Sequence, residues 1–310
     1  MSNYLSSFLL ASSLITGTLW IINKILSHNL LDSKIPFNIK KSKIYYKSKQ
    51  VVQTFASFFP ILIIVFIIRT FICEPFQIPS ESMMPTLLPG DFILVKKFSY
   101  GIKNPFSNNV IVFINTPKRG DIVVFKHPNN NAINYVKRIV GLPGDKINYN
   151  ILTKRLTITP NNINEQHTKN ISINYKYIKP NDFTKHFKLN NIILNNVHSL
   201  ESSNNNLLQL EMYQEKIEKI AYNIFFKKKL IDQKDLYFKQ FSQKQGTWIV
   251  PKHKYFVLGD NRDNSLDSRY WGFVPEKNLI GKVVFIWMHL IKKEGQWPTG
   301  IQFDRIGNIY

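Results

Sequence analysis

The chain has 310 residues, with 41 Lys and Arg against 20 Asp and Glu and a formal net charge of +21, room for one large domain or two modest ones beside any membrane segments. That charge would suit anionic lipid or nucleic acid, but Lys, Asn and Ile recur throughout and no reader motif accompanies them, so no nucleic-acid partner is expected. The single cysteine, Cys73, excludes an intrachain disulfide, and seven scattered histidines without HExxH or paired spacing point to no metal, so no cofactor is expected.

Two apolar segments come first. Residues 4–23, YLSSFLLASSLITGTLWIIN, carry no charge and are long enough to span a bilayer at about 1.5 Å per residue. The run 51–68, VVQTFASFFPILIIVFII, is similar and ends at Arg69. The first segment reads either as a retained anchor or as a cleavable signal peptide. It lacks a basic leading region and a small-x-small end, which favours the anchor. Between the two lie Lys24, Lys34, Lys40, Lys41, Lys43, Lys47 and Lys49 against Asp32. Positive loops stay in the cytoplasm, so the expected topology is an anchor over 1–26, a basic cytoplasmic loop over 27–50 and a second anchor over 51–69. The rest then faces the periplasm or exterior of the inner (plasma) membrane.

Next comes FQIPSESMMPTLLPGD, residues 76–91. It reads as a Ser/Pro-rich exit turn, or as a loop stiffened by Pro79, Pro85 and Pro89 that presents Ser82 as a nucleophile. A nucleophilic serine needs a base within reach and a donor aimed at the developing oxyanion. No histidine lies nearby in the sequence.

Beyond it, DFILVKKF, DIVVFKHP, INYVKRIV, KYFVLGD and LIGKVVFIWMHL recur between Gly, Pro and Asn turns and predict many short strands, a mostly β fold. Within YVKRIVGLPGDKI (135–147), alternation puts Tyr135, Lys137 and Ile139 on one face and Val136, Arg138 and Val140 on the other. If the Lys137 face is buried, desolvation lowers the lysine pKa and frees a neutral amine; the other reading is a surface Lys-Arg pair. Arg138 stays protonated and cannot serve as the base. Residues 150–246 are rich in Asn, Lys and Ile, with helix hints only at 207–229, and predict a variable α/β or partly irregular insertion between catalytic parts 70–149 and 247–310. In GDNRDNSLDSRYWG (259–272), Ser265, Asp267 and Arg269 alternate, so an extended backbone would put them on one side. The alternative is a charged surface loop.

Taken together and in this order, these stretches resemble bacterial type I signal peptidase (leader peptidase), closest to the proteobacterial form. EPFQIPS, GDIVVFKHP, SRYWGFVPE and EGQWPTG carry the resemblance further; it weakens over 150–246. It implies a membrane-bound serine endopeptidase with a Ser/Lys dyad in place of a Ser-His-Asp triad. Its substrates would be exported preproteins, cleaved after a small-x-small (Ala-x-Ala) site beside the Sec translocon and the lipid surface.

By the same resemblance Ser82 is the nucleophile and Lys137 the general base. Ser80 joins the Ser82 N–H in the oxyanion hole, and Ser265 hydrogen-bonds and orients the lysine. Asp267 and Arg269 form a supporting ion pair, Asp260 meets Arg138, and Phe125, Tyr135 and Val257 line the lysine. Trp287 and Trp297 belong either to a lipid-facing apolar patch or to the core. Two departures stand out. Glu81 occupies a position that is commonly Gly in close relatives, and it is expected to point to solvent. The disulfide that close relatives can carry in the insertion is impossible here; the dyad is expected not to depend on that region. The competing readings are another membrane-anchored Ser/Lys processing peptidase and a non-catalytic secretion factor.

Overall fold

The computed structural model describes residues 2–27, 43–104, 110–161, 170–179, 210–227, 234–291 and 298–309. The chain divides into two compact units, Met1–Glu74 with Gly101–Val112, and Pro75–Tyr100 with Phe113–Tyr310.

The first unit is built on helices α1 (Ser2–Ser27), α2 (Lys43–Ser57) and α3 (Phe59–Ile67). Two stretches, Leu5–Ile25 and Lys49–Ile72, are long and apolar enough to cross a membrane, with mean hydropathies of 1.7 and 2.5. The second is interrupted at Phe58, because Pro60 has no N–H to donate and its ring opposes a continuous helix. Gly17 lets α1 approach α3: a Cβ there would lie 2.8 Å from the Phe59 ring. A single π-helical segment, Ile68–Ile72, closes the run, and Arg69 reaches Glu74 at 3.4 Å. Lys34, Lys40 and Lys41 of the expected basic loop lie outside the described residues.

The strands, in chain order, are β1 (Cys73–Gln77), β2 (Asp91–Lys96), β3 (Gly101–Lys103), β4 (Val110–Phe113), β5 (Ile122–His127), β6 (Asn130–Gly141), β7 (Lys146–Asn150), β8 (Arg155–Thr159) and β9 (Ile173–Ile178). They continue as β10 (Leu210–Ile217), β11 (Ile220–Lys227), β12 (Thr247–Ile249), β13 (Lys254–Leu258), β14 (Val274–Pro275), β15 (Leu279–Ile291), β16 (Gly300–Ile301) and β17 (Gly307–Asn308). The main sheet runs β1-β2-β15-β5-β6-β13-β14, with β16 and β17 on β15. The predicted strand segments therefore lie side by side in one largely antiparallel sheet, and the fold is mostly β.

Register decides which side chains face which core. On β5 and β6, Val123 sits opposite Lys137 and Phe125 opposite Tyr135. Val123, Phe125 and Ile139 pack with Val257 and Leu279 in one buried cluster, so the Lys137 face is dry. Ile122 and Val124 face the opposite cluster, joined by Ile93, Val95 and Met83 and Leu87 of the Ser82 loop. Burying Met83 and Leu87 fully ties that loop to the sheet at roughly 1.5–3 kcal/mol per side chain. Its far end is held by charge. Asp91 accepts from Leu88 N at 2.7 Å, from Arg305 Nε at 2.8 Å and lies 2.7 Å from His289 Nδ1. Burial alone would raise the Asp91 carboxyl, but these partners bring it below its ordinary value.

The helix hint at 207–229 is corrected. Described residues 210–227 form an antiparallel hairpin, β10–β11, paired from Leu210↔Lys227 to Ile217↔Ile220, with Glu218 in the left-handed region at φ 54°. Glu, Gln and Lys favour helix locally, but Met212, Glu215 and Ile217 on β10 and Ile224, Phe225 and Phe226 on β11 are buried in tertiary contacts. Packing overrides such propensities, which are weak. This hairpin with β8 contributes Leu156, Ile158, Ile224 and Phe226 to the cluster that holds Val140, Trp248, Phe256 and Leu258. The described part of 150–246 thus shares a core with the strands that flank it.

Candidate active site

Ser82 sits in a single 3-10 turn, Glu81–Met83, with Ser80 extended before it. Met83 pulls the turn inward and leaves Ser82 half-buried and Ser80 and Glu81 exposed. Lys137 Nζ lies 2.6 Å from Ser82 Oγ. The lysine is 4% exposed, donates to the Val136 carbonyl at 3.0 Å, and stands 5.4 Å from the Tyr135 ring centroid. Tyr135 in turn packs against Phe125 and His127, and His127 against Trp271, in edge-to-face and tilted contacts. Burial pushes the Lys137 ammonium down to about 8, against the opposing pull of Asp267 and Asp260. A neutral amine is therefore accessible near neutral pH, in hydrogen-bond contact with a serine hydroxyl. Ser80 Oγ lies 3.4 Å from Ser82 Oγ.

The 259–272 stretch forms the other wall. Gly259 is required by close approach: a Cβ there would lie 2.5 Å from the Ser82 carbonyl oxygen and 2.2 Å from Ser265 Oγ. Asn261 N donates to Ser82 O at 3.1 Å, and Asn261 Nδ2 to Glu81 O at 3.2 Å.

The extended backbone expected for Ser265 to Arg269 holds at Ser265 and Asp267 and ends there. Asp267 caps a short helix, α4 (Ser268–Trp271), because its side chain accepts from Arg269 N at 3.2 Å and so satisfies an orphan donor of the first turn. The ion pair forms within this cap. Arg269 Nε and Nη2 reach Asp267 at 2.9 and 3.0 Å, and Gly259 N donates to Asp267 at 3.1 Å. The expected Ser265–Lys137 hydrogen bond is not formed: among the described residues Ser265 Oγ is buried without a hydrogen-bond partner, while Lys137 Nζ donates to the Val136 carbonyl.

Arg138 and Asp260 do meet, with both buried and bonds of 2.9 and 2.7 Å. Thr86 of the Ser82 loop donates to the same carboxylate at 2.5 Å. Burial by itself would lower the Arg138 pKa; Asp260 reverses this and keeps the guanidinium charged. Val257 pairs with Ile139 in the adjoining strand. Trp287 is 40% exposed and stacks against Phe92 at 5.6 Å, while Trp297 lies outside the described residues.

Sequence reading missed the supports behind this wall. Arg262 is buried and clasps Glu215 of β10 at 2.8 and 2.6 Å. Burial would raise the Glu215 carboxyl, but Arg262 holds it below the usual carboxylate range. Asp263 takes Lys154 at 2.6 Å and Lys227 N at 2.7 Å. Residues Lys154, Glu215 and Lys227 of region 150–246 thus bind the loop that packs against Ser82. The signal was present only as charge in GDNRDNS; partners so distant in sequence leave no spacing to read.

Comparison with known proteins places the chain in a family. Residues 51–288 match the pattern of signal peptidase, peptidase S26. The chain is 49% identical to signal peptidase I of Buchnera aphidicola subsp. Schizaphis graminum (strain Sg), covering 100% of both chains. It is 38% identical to signal peptidase I of Pseudomonas fluorescens over 85% of this chain and 81% of that one. For signal peptidase I of Haemophilus influenzae the identity is 34%, over 81% of this chain and 73% of the relative.

Proposed function

This chain belongs to the signal peptidase family, peptidase S26, and on that premise we propose that Ser82 and Lys137 carry out its peptide-bond hydrolysis. It is a serine endopeptidase of the signal peptidase I type, which removes signal peptides. The observation that carries the assignment is the 2.6 Å contact between a serine hydroxyl and a buried lysine.

Neutral Lys137 takes the Ser82 proton as Oγ attacks the scissile carbonyl carbon after a small-x-small sequence. The resulting oxyanion receives hydrogen bonds from the Ser82 N–H and the Ser80 hydroxyl. Collapse breaks the C–N bond, and Lys137 returns its proton to the leaving amine. Lys137 then deprotonates a water that attacks the Ser82 ester; collapse breaks the ester C–O bond, the lysine returns the proton to Ser82 Oγ, and the signal peptide leaves. Arg138, Asp260, Asp267 and Arg269 hold the two walls in register. Sheet residues beside Lys137 exclude the water that would otherwise stabilise its charge.

In this reading the apolar helices anchor the enzyme in the inner membrane, with the site on the exterior side beside lipid and the Sec translocon. The two apolar helices and the lysine-rich segment between them support that placement. Incubating the purified chain with an Ala-x-Ala precursor, with Lys137→Ala in parallel, tests the assignment. Cleavage at the small-x-small bond by the wild type alone is expected. Cleavage elsewhere, or persistence in the variant, would overturn it.

A further inference from the structure

The acidic residue next to the proposed nucleophile has a partner across the site. Asn264 Nδ2 donates to Glu81 Oε2 at 3.1 Å. Two bonds cross the same seam, from Asn261 to the carbonyls of Glu81 and Ser82, and Gly259 packs against Ser82 O. The Ser82 turn and the 259–265 loop are thus sewn edge to edge, with the Glu81 carboxylate as the outermost stitch. Glu81 is exposed.

A carboxylate one residue from the nucleophile is a hazard. Negative charge develops on the substrate carbonyl oxygen during attack, and a second negative charge that swings toward it raises the barrier, the more so the drier the site. We infer that Asn264 is a positioning residue: it holds the Glu81 carboxylate on the 259–265 loop and so keeps its charge away from the oxyanion. Glu81 is then tolerated at this position because it is tethered, and the tether also ties the two walls together. The inference rests on Ser82 being the nucleophile.

The test measures kcat and KM separately for the full-length chain acting on an Ala-x-Ala precursor. Activity in the wild type and its loss in Ser82→Ala establish the underlying reading; if Ser82→Ala still cleaves, that reading fails whatever Asn264 does. Given that control, Asn264→Ala is expected to lower kcat about fivefold with KM little changed, the scale of one poorly screened charge near the reacting oxygen. Adding Glu81→Gln to Asn264→Ala removes the charge and is expected to restore kcat to within about twofold of wild type, a strongly non-additive pair. A double variant as impaired as Asn264→Ala would mean that Asn264 only packs the loop. An unimpaired Asn264→Ala would mean that it restrains nothing. Either result overturns the inference.

Discussion

Ser82 and Lys137 stand 55 residues apart in the chain, yet their reactive atoms lie 2.6 Å apart. Each comes from a differently built element: a 3-10 turn pinned by Met83 and Leu87, and a central strand whose lysine points into an apolar cluster. The contact is made where Met83 and Leu87 pack the turn onto the sheet that carries Lys137.

If that contact is the dyad, removing either partner ends catalysis. Ser82→Ala and Lys137→Ala are expected to leave no measurable precursor cleavage, since a general base alone contributes about 10²–10⁴-fold. Ser80→Ala should lose about 10²–10³-fold, the worth of one oxyanion donor. Gel-resolved cleavage of an Ala-x-Ala precursor over long incubation measures all three, and substantial turnover by either of the first two would refute the dyad.

The rate should follow the lysine. With Lys137 brought down to about 8 by burial, the competent amine is the minor form below that pH and the major form above it. The single-turnover rate should therefore rise tenfold per pH unit well below about 8 and level off above it, as expected when one group must lose its proton. A flat profile between pH 6 and 9 would assign the base elsewhere.

The same lysine makes a stability prediction. Folded Lys137 releases its proton near 8, whereas the unfolded side chain holds it to its ordinary 10.5. Between those values the unfolded state binds more protons, so stability gains with rising pH; below about 8 both states are protonated and the term is constant. Compared by urea titration, wild type should gain on Lys137→Met as pH rises from 8 to 10, and only there. A parallel pH dependence in the two proteins would contradict the burial argument.

Gly259→Ala should damage the site at its seam. The added methyl would fall 2.5 Å from Ser82 O and 2.2 Å from Ser265 Oγ, so one wall must move. Misplacement of about 1 Å can cost roughly 10²-fold, and a fall in kcat of at least about tenfold is expected by initial-rate measurement. Near-wild-type turnover would show that the two walls are not in register-critical contact.

Glu215→Gln removes the counter-charge of buried Arg262. Leaving such a charge unpaired typically costs about 3–5 kcal/mol, which equilibrium urea unfolding would report. Because Arg262 also donates to Gly259 O at 3.2 Å, kcat should fall together with stability. A destabilised variant with unchanged kcat would place the pair in folding alone.

Much of this was legible before any coordinates. Length and hydropathy marked the apolar helices, because spanning a bilayer is a local demand on consecutive residues. Alternation in YVKRIV put Lys137 among apolar neighbours, because side chains on a strand point to opposite faces whatever the sheet. The order of SESMMP, VKRIV and DNSLDSRYWG pointed to the family, though not to the distances among them.

What escaped depended on partners far along the chain. Glu, Gln and Lys in 210–217 favour helix until Arg262 and the neighbouring strands bury that segment as a hairpin. Ser265 and Asp267 keep an extended backbone, yet the Asp267 side-chain cap turns the chain into α4 before Arg269. Glu81 looked like an unexplained intruder beside Ser82 until Asn264 came within 3.1 Å of it. Sequence by itself determined which residues are apolar, which alternate and which chemistries are present, because those follow from side-chain type and local backbone geometry. Only the tertiary structure decided which charges are buried, which are paired and how far the lysine's proton affinity falls, because desolvation and Coulomb interactions depend on neighbours that chain order does not specify.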